Sequence, residues 1–258
     1  MADPLEYAPR GLIGALTPQA NTTVEPELAI LMPPGVAWIS ARLTSPAKTI
    51  EARLADYLDN IDATLDRFAN APVGAYAFAC TGASYLIGPD GEDALVGRIE
   101  AARGHPFVTA ARAVTEALRT LGARRIGLVS PYPAGLTETS VGYWRERGFA
   151  VDAVAGVFND GSDFHPIYSL SAASADAALH ELADQAVDAI VMLGTGMPTL
   201  GPIARAAGTD GPPVLSCMLA LVWRTVIAVD GSEPDRASLG AWITAERWGE
   251  RLTARTSS

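Results

Sequence analysis

Cysteine is scarce: only Cys80 and Cys217 occur in 258 residues. Two thiols make no disulfide framework, and this spacing is not that of metal ligands. A reducing cytoplasm is the compartment expected of such a chain. Histidine is also rare: His105, His165 and His180 are scattered, with no HxH or HxxE pair, so no metal site is expected. Each reads as a surface or internally satisfied histidine. Positive charge is short as well. Nineteen Lys and Arg stand against 29 Asp and Glu, giving a net charge of −10 and a pI near 4.7. Without a basic stripe to neutralise phosphates, nucleic acid is excluded as a partner, and an anionic membrane surface is disfavoured. No apolar run reaches the roughly 18 residues of a membrane span. The opening MADPLEYAPR lacks the basic and apolar regions of a signal peptide. No GxGxxG turn marks a dinucleotide site. The expectation is a protein that needs neither metal nor organic cofactor. Its partner would be a small anion, a carboxylate, held by local amides and hydroxyls; assembly with copies of itself is left open.

What the chain has is apolar content, 49% against 19% charged, enough for a sizeable core. It also has a repeat. GLIGALT at 11–17, followed by Pro18, matches RRIGLVS at 124–130, followed by Pro131. VGAYAFACTG at 73–82 matches VDAIVMLGTG at 187–196, and PFVTA at 106–110 matches PVLSC at 213–217. The offsets are 113, 114 and 107 residues, so three apolar segments recur in the same order. That is a duplicated α/β half rather than a solenoid unit.

Strand-like runs fall at 11–17, 36–42, 73–80, 106–109, 125–130, 149–154, 187–193 and 213–216. Most are continuously apolar, as in parallel strands covered on both faces. Helical spacing occupies 49–70, 108–121, 135–147, 172–186, 217–229 and 236–253. The prediction is two doubly wound, Rossmann-like halves with parallel sheets. Residues 1–120 form the half carrying Cys80, and 121–258 the half carrying Gly194. The C-terminal helix is expected to pack back on the first half. Ligands in such folds bind beyond the carboxyl ends of strands. Thr17, Cys80, Thr81, Ser130, Gly194 and Thr195 all fall there, which places the site in the cleft between halves.

The repeat breaks its symmetry at one point: Cys80 faces Gly194, and Thr-Gly follows both. A thiol leaving a strand into Thr81-Gly82-Ala83-Ser84 would sit beside helix N-terminal amides, which lower its pKa and suit a nucleophile or proton donor. The same amides and hydroxyls could cradle a carboxylate or enediolate. Against this stands ordinary burial of a free cysteine. The glycines of Gly194-Thr195-Gly196 leave room for an anion, or form a plain turn. Asn21 could donate its amide to a carboxylate, or merely cap the next helix. Tyr132, in the mirrored Ser130-Pro131-Tyr132, offers a phenol to the cleft. Cys217, whose counterpart is Ala110, reads as a small buried residue.

These segments resemble the aspartate/glutamate racemase superfamily, in its branch of maleate cis–trans isomerases and arylmalonate decarboxylases. Family members show ACTSGS where Ala79 to Ser84 read ACTGAS, and PSSNVTVE where Pro18 to Glu25 read PQANTTVE. They carry Pro-Tyr after the middle strand, here Pro131-Tyr132. The resemblance implies cofactor-free, metal-free chemistry at carbon next to a carboxylate. It implies Cys80 as the catalytic thiol. The amides of Thr81, Gly82 and Ala83 would hold one carboxylate, Asn21 and Tyr132 the other, and Thr195 would line the opposite face. The family's second thiol is replaced here by Gly194. The leading expectation is a maleate-isomerase-like enzyme. Its rivals are a malonate-type decarboxylase protonating from one face, and a carboxylate-binding relative without catalysis.

Overall fold

The computed structural model describes residues 5–159, 161 and 165–256; Met1–Pro4, at the head of the segment read for a signal peptide, lie outside them. Strands β1 (Gly11–Pro18), β2 (Val36–Leu43), β3 (Val73–Phe78) and β4 (Phe107–Thr109) form one sheet in the order β2-β1-β3-β4. Strands β5 (Arg125–Ser130), β6 (Ala150–Gly156), β7 (Ala189–Met192) and β8 (Val214–Ser216) form the second, in the order β6-β5-β7-β8. All pairings are parallel. The central strands are buried along almost their whole length. Edge strand β6 instead alternates between more and less exposed residues, as expected where one face meets water.

The helices are α1 (Val24–Leu31), α2 (Ile50–Asp59), α3 (Ile61–Leu65), α4 (Thr81–Arg103), α5 (Ala110–Leu121), α6 (Ala134–Glu146), α7 (Ala172–Leu182), α8 (Leu200–Ala206), α9 (Cys217–Asp230), α10 (Arg236–Ile243) and α11 (Gly249–Thr256). Two repeat-related helices show the duplication in their ends. Thr109 and Ser216 cap α5 and α9 by accepting from the N–H of Arg112 and Leu219, each at 3.2 Å. Gly122 and Gly231 end the same helices in the left-handed conformation, the usual stop for a helix. Helices α5 and α9 pack on each other between the sheets, and α9 also lies on β1 and β3 of the other half. Leu219, Leu221 and Trp223 on α9 are buried.

Three segments differ from the sequence reading. The stretch 49–70 is not one helix but α2, α3 and a 3-10 turn at Asp66–Phe68. The C-terminal stretch is α10 and α11, broken where Ala245 takes φ 63°. Helix α10 packs on α5 and α9, and α11 packs on α1 of the first half, where Arg251 donates to the carbonyls of Ile30 at 2.6 Å and Leu31 at 3.2 Å. The longest helix, α4, is expected from the sequence only at its start, beside Cys80. Gly88 (φ 68°, ψ 175°) and Pro89 kink it and interrupt the apolar period that would have announced it.

Candidate active site

The strand ends of the two halves face each other across a narrow cleft, lined among others by Pro18, Arg53, Cys80, Thr81, Gly82, Tyr132, Gly194 and Thr195. Hydrogen bonds from one half to the other close its floor. Thr195 Oγ1 donates to the Ala79 carbonyl at 2.7 Å, and Thr23 Oγ1 donates to the Gly196 carbonyl at 2.7 Å. Glu27 Oε1 accepts from the Thr199 N–H at 2.7 Å. The Glu27 carboxyl is buried, and burial pushes its pKa up to about 7. Glu27 carries no sequence motif; only its partner on the other half reveals it.

Cys80 is the N-cap residue of α4, with extended backbone (φ −144°, ψ 90°). Its thiol lies at the start of the helix, where the first backbone N–H groups have no intrahelical acceptor. The Ala83 N–H favours the thiolate. Burial nevertheless outweighs that amide and pushes the thiol up to about 12. This corrects the expectation of a lowered pKa: the helix terminus is present, but water is excluded from it, and desolvation penalises the charged form. Alkylation by iodoacetamide should therefore be slow at pH 7 and climb about tenfold per pH unit through the alkaline range, following the thiolate fraction. Rapid labelling of Cys80 at neutral pH, read by peptide mass mapping, would contradict it.

Asn21 turns out to be engaged elsewhere. Its Oδ1 accepts from the N–H of Thr23 at 2.8 Å and of Val24 at 3.1 Å, capping α1. Its amide nitrogen donates to the Thr195 carbonyl at 3.2 Å and lies 3.4 Å from Thr195 Oγ1. Its side chain joins the two halves in this structure. Thr195 lines the opposite wall, with its hydroxyl committed to Ala79.

Gly194 has φ +78°, a conformation that side-chain-bearing residues resist. A Cβ there would stand 3.0 Å from Pro131 Cγ and 3.2 Å from Tyr132 Oη. The place where the repeat would have put a second thiol is thus taken up by the phenol of Tyr132. Cys217 lies behind this wall, fully buried and absent from the cleft lining. Burial pushes its thiol up to about 12, against the smaller opposing effects of the Thr81 hydroxyl, the Gly194 backbone and the Tyr85 hydroxyl. The buried hydroxyls of Thr17 and Ser84 have no hydrogen-bond partner among the described residues, whereas those of Thr81 and Tyr85 lie beside Cys217. Buried donors left open in this way invite a functional explanation, and here they follow the strand ends.

The cleft mouth holds a cation that the sequence reading missed. Arg53, on α2, places Nη2 3.0 Å from His165 Nε2. The His165 ring stacks on Tyr168 with centroids 4.0 Å apart. Burial, helped by the Arg53 charge, lowers His165 to about 4, so it is neutral near pH 7. It is a satisfied histidine, yet one at the site. The available signal was a charge set between Ile50, Leu54 and Tyr57 on an otherwise apolar helix face. Among the described residues, no group of three or more His, Cys, Asp or Glu could hold a metal ion, and no helix is long and apolar enough to cross a membrane.

Residues 13–241 match the family model for arylmalonate decarboxylase. The chain belongs to that family. Within the arylmalonate decarboxylase family it is similar to the maleate isomerase of Pseudomonas putida, 27% identical over 244 residues covering 90% of this chain and 96% of the relative. A solved Pseudomonas putida maleate isomerase with maleate superposes with a TM-score of 0.78 at 25% identity, covering 91% of this chain and 97% of that one. A Nocardia farcinica maleate cis–trans isomerase with a covalently bound succinylcysteine intermediate superposes with a TM-score of 0.76 at 25% identity, covering 85% and 93%. The family fold of two four-stranded parallel sheets is the one seen here.

Proposed function

We propose that the protein is a cofactor-independent enzyme that isomerises the double bond of a small cis-dicarboxylate such as maleate, with Cys80 as nucleophile. The observation that carries this reading is one buried thiol at the N-terminus of α4, opening on a cleft that Thr81 and Arg53 also line. The succinylcysteine intermediate of the Nocardia relative supports it. Cys80 gives its proton to water, Sγ adds to one alkene carbon, and the π electrons move to its neighbour and onto the attached carboxylate. The dioxyanion so formed is stabilised by the amides of Thr81, Gly82 and Ala83 at the positive end of α4, fixed in place before the reaction. The former double bond is then single and rotates. Loss of sulfur gives the trans product. Tyr132 and Thr195 close the opposite face, and Arg53 takes the second carboxylate.

A specific observation favours a second reading. A thiol held near 12 keeps its proton at neutral pH, which suits a malonate-type decarboxylase in which Cys80 protonates an enediolate from one face. Proton NMR in D₂O on a panel of maleate, substituted malonates and amino acids separates the two. Fumarate from maleate supports the isomerase, and a monoacid from a malonate supports the decarboxylase. A protein that binds these acids and converts none of them is the non-catalytic relative.

Arg53→Ala provides a further check on the orientation. Removing a charged hydrogen bond of about 1.5–3 kcal/mol should raise the KM for a dicarboxylate about 10- to 100-fold and leave kcat within a few-fold. An unchanged KM would place the second carboxylate elsewhere.

A further inference from the structure

One thiol faces this cleft, and a substrate in it has two faces. Beside Pro131, the polar group nearest to where a side chain on residue 194 would begin is the Tyr132 phenol, 3.2 Å from that Cβ position. We propose, building on the isomerase reading above, that Tyr132 is the second catalytic group. Its phenol would do the proton transfer of the thiol that Gly194 lacks, on the substrate face opposite Cys80.

The chain aims this phenol. Tyr132 follows β5 through Ser130-Pro131, the mirror of Thr17-Pro18 after β1. Its backbone is held by the Thr137 hydroxyl, which donates to the Tyr132 carbonyl at 3.1 Å. Tyr85 meets the ring edge-on, with centroids 6.0 Å apart and planes at 88°. The residue is buried yet lines the cleft. Burial, reinforced by the neighbouring Cys217, pushes the phenol well above its ordinary pKa, so at rest it holds a proton to give. The other candidates fail on position. Cys217 has no cleft surface. His165 sits at the mouth against Arg53. Tyr57 and Tyr168 also line the cleft, but neither is among the atoms nearest the Cβ position of residue 194.

The step balances without an outside reagent. As Sγ bonds to one alkene carbon, the neighbouring carbon takes the phenolic hydrogen on the opposite face. The hydrogen released by Cys80 is made good on the phenolate by exchange with water, so the addition leaves both groups uncharged. The net change is addition of S–H across the double bond. Rotation of about 120°, from one staggered arrangement to the next, brings that carbon's original hydrogen opposite the sulfur. Tyr132 removes it as Sγ leaves and takes back its proton. Anti addition followed by anti loss of the other hydrogen gives the trans alkene. The hydrogen delivered by Tyr132 therefore stays in the product, and each turnover exchanges one vinylic hydrogen with solvent.

The test is conversion of maleate in D₂O by the intact protein, followed by NMR and by intact-protein mass for the Cys80 adduct. Wild-type protein should give fumarate carrying one vinylic deuterium. Tyr132→Phe should lose at least about 10²-fold in kcat, the scale of a positioned acid–base group, with KM within a few-fold and no deuterium in residual fumarate. Cys217→Ala should match wild type in both readings. Wild-type fumarate free of deuterium overturns the proposal while leaving the isomerase reading intact. So does a Tyr132→Phe protein with raised KM and full deuterium content, since the phenol is then only a carboxylate contact. Loss of deuterium in Cys217→Ala instead moves the role to that thiol. Absence of both fumarate and a Cys80 adduct from wild type overturns the isomerase reading and this proposal together.

Discussion

Cys80→Ala should lower turnover of the cis-dicarboxylate by at least about 10³-fold while leaving binding largely in place. A covalent step lost outright costs more than a misplaced acid–base group, and nothing nearby takes it over. Cys217 is fully buried behind Gly194 and lines no part of the cleft. The phenols of Tyr132 and Tyr168 are held protonated by burial. Binding should persist because, on the proposed reading, the carboxylates are met by backbone amides of α4 and by Arg53, none of which depends on sulfur. Cys80→Ser should fare little better, since a buried alcohol is a far weaker nucleophile than a thiol. The measurement is fumarate formation by NMR, alongside dicarboxylate affinity by calorimetry. If Cys217→Ala shows the large loss and Cys80→Ala the small one, the wrong strand end has been assigned the chemistry.

Why Cys80 could be found from sequence, and its partners could not, is a matter of range. Continuous apolar runs produced all eight strands, because strands covered on both faces need apolar residues at every position. The repeat then set their strand ends against each other and singled out Cys80 and Gly194. Only the start of helix α4, beside Cys80, was legible, because Gly88-Pro89 breaks the period of the rest. Arg53, His165 and Glu27 escaped because their roles depend on contacts across the cleft, with no local pattern to mark them. The ionisation of Cys80 was misjudged for a related reason. Proximity to a helix terminus is visible in a sequence, whereas the depth of burial that outweighs it is not. Gly194 is a mixed case. The absence of a thiol was plain from the repeat, but the positive φ and the phenol beside it exist only in three dimensions.

Arg147→Ala should destabilise the fold by about 3–5 kcal/mol, the cost of stripping one partner from a buried ion pair. Arg147 lies just past α6, and its guanidinium reaches back to the kink of α4. Nη2 donates to the Pro89 carbonyl at 3.2 Å, one of the groups near the Gly88 break, and to Glu92 Oε2 at 2.7 Å. Nη1 donates to Asp93 Oδ2 at 2.7 Å, and Nε donates to the Tyr143 hydroxyl at 3.0 Å. Glu92 is fully buried and also accepts from Thr109 Oγ1 at 2.6 Å and from the Tyr143 hydroxyl. Deleting the guanidinium leaves that carboxylate with hydroxyl donors alone. The surface pair Arg125–Asp152 offers the contrast: water screens it, and Arg125→Ala should leave stability close to that of wild type. The Asp93 share has a defined pH dependence. Arg147 lowers the Asp93 pKa below its ordinary value, so this stabilisation is present above about pH 4, the unfolded carboxylate's range, and is lost as pH falls through the folded value. The gap between wild type and Arg147→Ala should accordingly narrow in acid. Urea unfolding followed by the fluorescence of Trp144, buried beside Tyr143, reads both effects. Adding Glu92→Gln to Arg147→Ala should recover part of the loss, because it removes the uncompensated charge and keeps the shape. Equal stability of the single and double variants would mean that the guanidinium acts through the Pro89 carbonyl and its packing, and the kink of α4 rather than the buried charge would then be what Arg147 holds in place.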